Sequence, residues 1–77
     1  MRVISPDYTI NTSYENSTFC VIEDDEHHEY AVGLRNIDLK GYMPLAIYST
    51  KEQAVKVIKE MITAAVKNED CYVIKAE

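Results

Sequence analysis

The stretch from Ser49 to Lys67 constrains the fold of this chain more than any other. Ser49-x-x-Glu52 and Thr50-x-x-Gln53 both have the spacing of a capping box, in which a hydroxyl and a side-chain oxygen three residues on satisfy each other's backbone N–H. Ala54, Ile58, Met61, Ile62 and Ala65 then recur at helical period, and Val55, Val57 and Val66 widen the stripe. Glu52 and Lys56 form a favourable i,i+4 pair, worth about 0.2–0.5 kcal/mol. Lys67 falls where a cation complements the helix dipole, and Asn68 to Asp70 ends the run. The segment predicts an amphipathic helix, and a helix with one wide apolar stripe needs a surface to cover it.

The remaining segments read as short strands that could supply that surface. Arg2 to Ile4 is β-prone. Ser5-Pro6-Asp7-Tyr8 fits a turn with Pro at its second position, where the fixed φ suits the geometry. Thr9 to Thr12 reads as a returning strand, and Tyr14 as an inward-facing residue of the polar segment from Ser13 to Ser17. Thr18 to Glu23 is rich in β-branched and aromatic residues, with apolar groups on both faces. In Glu29 to Arg35, Tyr30, Val32 and Leu34 share one face, while Ala31 and Gly33 leave the other low enough for a helix to approach. Asn36 to Gly41 reads as a loop with Gly41 at positive φ. Met43, Leu45 and Ile47 alternate with Pro44, Ala46 and Tyr48 in the next strand, where Pro44 belongs near the start or on an edge. Cys71 to Lys75 reads as the last strand. The expected architecture is α+β: one domain over residues 1–77, a mainly antiparallel sheet of four to five strands, and one helix on one face.

Seventy-seven residues with an apolar fraction of 47% suffice for one packed core. A domain of this size has few residues left to wall an active-site cleft. Cys20 and Cys71 are too few and too far apart for a disulfide framework or a CxxC zinc pair. The opening residues lack the apolar region of a signal peptide, and no run approaches the roughly 20 apolar residues of a membrane span. These features point to a cytoplasmic protein with reduced thiols and no membrane contact.

The net charge of −5 is unevenly spread. Glu23, Asp24, Asp25, Glu26 and Glu29 lie within seven residues that hold no Lys or Arg. Set those five aside, and the remaining eight acids are balanced by eight basic residues. Direct nucleic-acid binding needs a basic footprint, which this chain does not present. The acidic segment sits between two strands and therefore belongs to a projecting hairpin tip. His27 and His28 beside it bring metal binding to mind. Adjacent strand residues point to opposite faces, and His27 with Glu29 gives only two ligands where such sites use three or four. No metal or other cofactor is expected. A solvated tip is the plain reading. The functional one is a contact surface formed by Glu23, Asp24, Asp25, Glu26, Glu29 and Tyr30, in which spaced carboxylates imitate phosphates and occupy a basic groove on another protein. Tyr42, Tyr48 and Tyr72 are further candidate anchors.

Catalysis has little to build on. The chain has no nucleophile elbow, phosphate-binding glycine loop or paired-carboxylate cleft, and Cys20 sits in an apolar strand where thiols are usually inert packing. The expectation is a protein that is not an enzyme.

Val3-Ile4-Ser5-x-Asp7, then Tyr14-Glu15, then Tyr48-Ser49-Thr50-x-Glu52-x-Ala54 resemble a group of small proteins encoded by phages and mobile elements of Firmicutes. The typical opening there is Ile-Ser-Gln-Asp-Gly followed by Pro-Tyr-Glu; this chain has Pro6 for the Gln, Tyr8 for the Gly and Ser13 for the Pro. The group brings no catalytic residues to carry over. The resemblance implies a mobile-element origin and an inhibitor of a host protein, of the anti-defence or anti-CRISPR kind. A structural or accessory protein that self-assembles through a sheet edge or the helix flank is the second expectation.

Overall fold

The computed structural model describes residues 1–36 and 40–77. Part of the loop expected over 36–41 lies outside them. The elements run β1 (Arg2–Ile4), β2 (Asn11–Ser13), β3 (Ser17–Asp24), β4 (Glu29–Asn36), β5 (Met43–Tyr48), α1 (Lys51–Val66) and β6 (Cys71–Val73). This is the expected α+β class. Among the described residues, however, the strands number six and form two three-stranded sheets, ordered β2-β1-β6 and β3-β4-β5, rather than one sheet of four or five.

The first sheet is built around β1. Antiparallel pairing sets Val3 opposite Thr12, and parallel pairing sets Val3 opposite Tyr72. The turn that reverses β1 is closed by the Tyr8 N–H, which donates to the Ser5 carbonyl at 3.0 Å. Asp7 organises it. Its Oδ1 accepts from the Thr9 hydroxyl and the Ser5 hydroxyl, both at 2.7 Å, and from the Thr9 N–H at 3.1 Å. Those donors, Thr9 first and then Ser5, hold the Asp7 carboxyl down at about 2. Within this net Tyr8 adopts φ 63°, a conformation more often taken by glycine.

The second sheet is a meander. β3 and β4 pair in unbroken register from Ser17–Asn36 to Asp24–Glu29. Between β4 and β5 the register shifts: Val32 faces Ala46 and Gly33 faces Pro44, so Leu45 has no partner. This bulge overturns the simple alternation expected for β5. An unpaired extra residue reverses which face the following side chains occupy. Leu45 and Tyr48 are buried, and Ile47 turns outward with 53% of its surface exposed. Pro44, which cannot donate a ladder hydrogen bond, lies on this edge strand as expected.

Helix α1 carries the chain from one sheet to the other and packs on the core face of β3–β5 and on β6. Thr50 is its N-cap. Its hydroxyl accepts from the Gln53 N–H at 3.3 Å, and Gln53 Oε1 accepts from the Thr50 N–H at 3.2 Å, completing the capping box. Ser49 lies outside the helix, where its hydroxyl and N–H donate to the Glu77 carboxylate. Lys67 is the C-cap rather than a last-turn residue.

The buried helix face is Ala54, Val57, Met61 and Ala64, rotated from the expected stripe so that Ile62 is 48% exposed. Small alanines at both ends let the helix lie close on Val32 and Leu34, with Val3, Leu45, Tyr48 and Ile74 completing the core. Each large side chain buried here contributes about 1.5–3 kcal/mol relative to exposure. The low face of β4 lies opposite to the helix, contrary to expectation. A Cβ on Gly33 would come within 2.6 Å of Ile22 Cδ1, so a β3 side chain, not α1, covers it.

Candidate interaction surface

Glu23 and Asp24 end β3, residues 25–28 form the connecting turn, and Glu29 and Tyr30 begin β4. The projecting acidic tip is therefore a hairpin end, with Asp24 paired opposite Glu29 and Glu23 opposite Tyr30.

Local hydrogen bonds shape it. Asp24 Oδ1 accepts from the His27 N–H at 3.2 Å, and Oδ2 lies 2.8 Å from His27 Nδ1. An aspartate at the start of a turn commonly bonds the backbone a few residues on; here it also holds the imidazole. The hydrogen bond raises the His27 pKa above its usual value and lowers that of Asp24. His28 takes φ 53° to bring the chain back into β4. The Tyr30 hydroxyl donates to Asp25 Oδ1 at 2.6 Å, and this bond to a carboxylate raises the phenol's pKa.

One acid is neutralised from outside the hairpin. Lys51 Nζ, at the start of α1, lies 2.5 Å from Glu23 Oε1, and that hydrogen bond raises the lysine's pKa. Glu26 and Glu29 are exposed and have no ion-pair partner among the described residues. The five acids thus differ in role: Glu23, Asp24 and Asp25 are partly engaged, while Glu26 and Glu29 face solvent freely.

The structure joins Tyr30 to the acidic residues but separates the other tyrosines from them. Tyr48 is buried, and its hydroxyl donates to the Lys75 carbonyl. Tyr72 donates to Glu60 Oε2 at 2.9 Å, and burial, then that bond, push its phenol well above the usual range. Tyr42 is 45% exposed and adjoins Cys20, whose thiol burial pushes up, away from the reactive thiolate. Cys20 and Cys71 are free thiols on strands of different sheets.

Among the described residues no group of three or more His, Cys, Asp or Glu is placed to hold a metal ion, and no helix is long and apolar enough to cross a membrane. His27 is committed to Asp24 rather than turned toward Glu29.

Two features escaped sequence reasoning. The His27–Asp24 pairing could have been anticipated from an aspartate opening a turn. The Lys51–Glu23 pair could not, because it depends on where the helix starts relative to the hairpin.

Fold and surface together define a small α+β domain that displays one charged hairpin tip beside a neutral body. No protein-family model, curated protein or solved structure matches this chain.

Proposed function

We propose that this is a non-enzymatic binding protein that inhibits a host protein by occluding a basic surface with its acidic hairpin. The observation that carries the reading is the tip itself: four carboxylates outside the Lys51 pair, on a hairpin end whose turn is held in shape by its own hydrogen bonds. Like charges crowded on one turn repel each other, and a basic partner relieves that repulsion. Charge complementarity of this kind raises the association rate and selects the partner, while apolar contacts beside it add affinity. Tyr30, half-buried at the base of the tip, supports such a contact.

The resemblance of the opening residues and the helix start to phage and mobile-element proteins supports a cytoplasmic host target and an anti-defence role, anti-CRISPR inhibition among them. The test is capture from host lysate by wild type and by the triple variant Asp24→Lys, Asp25→Lys, Glu26→Lys, followed by mass spectrometry. A partner retained by wild type, released by salt and lost with the triple variant is the expected result. Equal capture by both would sink the proposal.

A further inference from the structure

Helix α1 covers only one face of the second sheet, the face that carries Val32, Leu34 and Tyr48. Side chains alternate across a strand, so the cross-strand pairs Cys20–Gly33, Ile22–Ala31 and Asp24–Glu29 share the other face. β5 adds Pro44 beside Gly33 and Ile47 beside Ala31. Tyr42 adjoins Cys20 on the same side. This outer face is open: Ile22 is 36% exposed, Tyr42 45% and Ile47 53%. They are three of the six large apolar side chains left exposed among the described residues. Apolar groups gathered on one bare sheet face mark a contact surface.

Charge on this face is ordered along the strands. Asp24 and Glu29 stand at the hairpin end, and Arg35, paired with Thr18, stands exposed at the other. On β4 the distance from Glu29 to Arg35 is about 20 Å at the usual rise of a strand. The residues between them on this face, Ala31 and Gly33, carry no charge. A uniformly basic surface laid along the face would meet Arg35, and a uniformly acidic one would meet Asp24 and Glu29. The occupant that fits is apolar in the middle, with base and acid at the same spacing in reverse order.

We infer that the occupant is a second copy of this chain, packed face to face through the outer surface of β3–β5. A two-fold axis between the sheets and across the strands reverses the strand direction and keeps each strand over its own counterpart. The spacing of acid and base then matches by symmetry. Placed over Val32, the axis sets Glu29 over the partner's Arg35 and Ala31 over the partner's Gly33. On β3 it sets Ile22 over the partner's Cys20 and Asp24 over the partner's Thr18, and on β5 it sets Ile47 over the partner's Pro44. Larger side chains thus meet smaller ones, which suits two sheets packed about 10 Å apart. Asp24 is engaged by His27, so Glu29 is the acid left for Arg35. An axis along the strands would instead stack the two hairpin ends, acids on acids.

Three short strands make a face at the low end of interface sizes, so the dimer forms as concentration rises. Asp25 and Glu26, in the turn, lie beyond the strand-over-strand overlap and stay available to a host protein.

The test is the solution mass of the full chain by light scattering over rising concentration, with circular dichroism to confirm the fold of each variant. Wild type is expected to climb from 8.8 kDa towards twice that mass. Ile47→Glu, on the open face, is expected to stay at the single-chain mass, and Ile47→Ser, which adds no charge, to shift the same way. Ile62→Glu, on the helix flank, is expected to follow wild type. Arg35→Glu is expected to stay monomeric, and Arg35→Glu combined with Glu29→Arg to regain the dimer. A wild-type monomer at every concentration overturns the inference. So does a dimer that Ile62→Glu breaks and the Ile47 variants leave intact. A dimer that Arg35→Glu leaves intact, or that the double exchange does not restore, overturns the arrangement about this axis. Glu26→Lys is expected to dimerise as wild type does while weakening host capture, so the two proposals fail separately.

Discussion

Ile22 Cδ1 lies only 2.6 Å from where the Cβ of any larger residue at position 33 would sit, so Gly33 is kept small by a neighbouring strand's side chain. The contact closes the outer face of the second sheet over β4 and leaves Ala31 buried beside it. Position 33 thus couples β3 and β4 through side-chain volume as well as through the ladder.

Enlarging this position is expected to be costly in a way that a second change relieves. Gly33→Val should destabilise the fold by about 1–3 kcal/mol, the usual effect of overpacking. Adding Ile22→Ala should recover much of that loss. Urea unfolding of the two single variants and the double variant measures the coupling; strictly additive effects would show that Ile22 is not what limits the site.

The orientation of the helix has its own signature. Met61, 1% exposed in the core, should cost about 2–5 kcal/mol when cut to alanine. Val66, 77% exposed, should change stability by no more than about 0.5 kcal/mol on the same substitution. Comparable losses at the two positions in thermal or urea melts would contradict the observed packing.

Capping gives a third expectation. Thr50→Ala removes the side-chain oxygen that accepts from the Gln53 N–H and should lower stability by about 0.5–2 kcal/mol. Thr50→Ser keeps the oxygen and should remain close to wild type. Chemical denaturation of both variants distinguishes loss of the cap from loss of the methyl group.

The hairpin tip should show coupled titration. His27 has a raised pKa, so its contribution is fully present below its unfolded value and is lost as pH rises through the folded value. Asp24 has a lowered pKa, so its contribution is present above its unfolded value and is lost as pH falls through the folded one. The charged pair is therefore complete only in the mildly acidic window between these limits. Imidazole proton chemical shifts should place the His27 midpoint above the usual histidine value, and Asp24→Asn should bring it back down. A midpoint that Asp24→Asn leaves in place would mean that the 2.8 Å contact does not persist in solution.

Much of this was legible in the residues. Thr50 and Gln53 marked the helix start because a capping box is a contact within one turn. Gly41 was recognisable because positive φ favours a residue without a Cβ, and it has φ 94°. Pro44 announced an edge because it cannot donate. The acidic tip followed from the unbroken run of carboxylates between two strand patterns, although its internal bonds did not. Alternation along β5 groups Ile47 with Leu45 and sets Tyr48 against it, whereas the bulge puts Tyr48 in the core with Leu45 and turns Ile47 out; that bulge is chosen by how β5 meets β4, and nothing in β5 alone demands it.

The sequence by itself determined the elements and the position of the charge, because helix caps, turns and strand propensities act between residues close along the chain. Tertiary structure decided what pairs with what. The C-terminal strand returns to β1 and not to the meander, splitting the strands into two sheets, and Lys51 meets Glu23 because the helix starts beside the hairpin. The same division leaves the eight-residue β3 paired on one side only among the described residues. Such choices are settled by competition among distant surfaces for burial and hydrogen bonds, and no local pattern records the outcome.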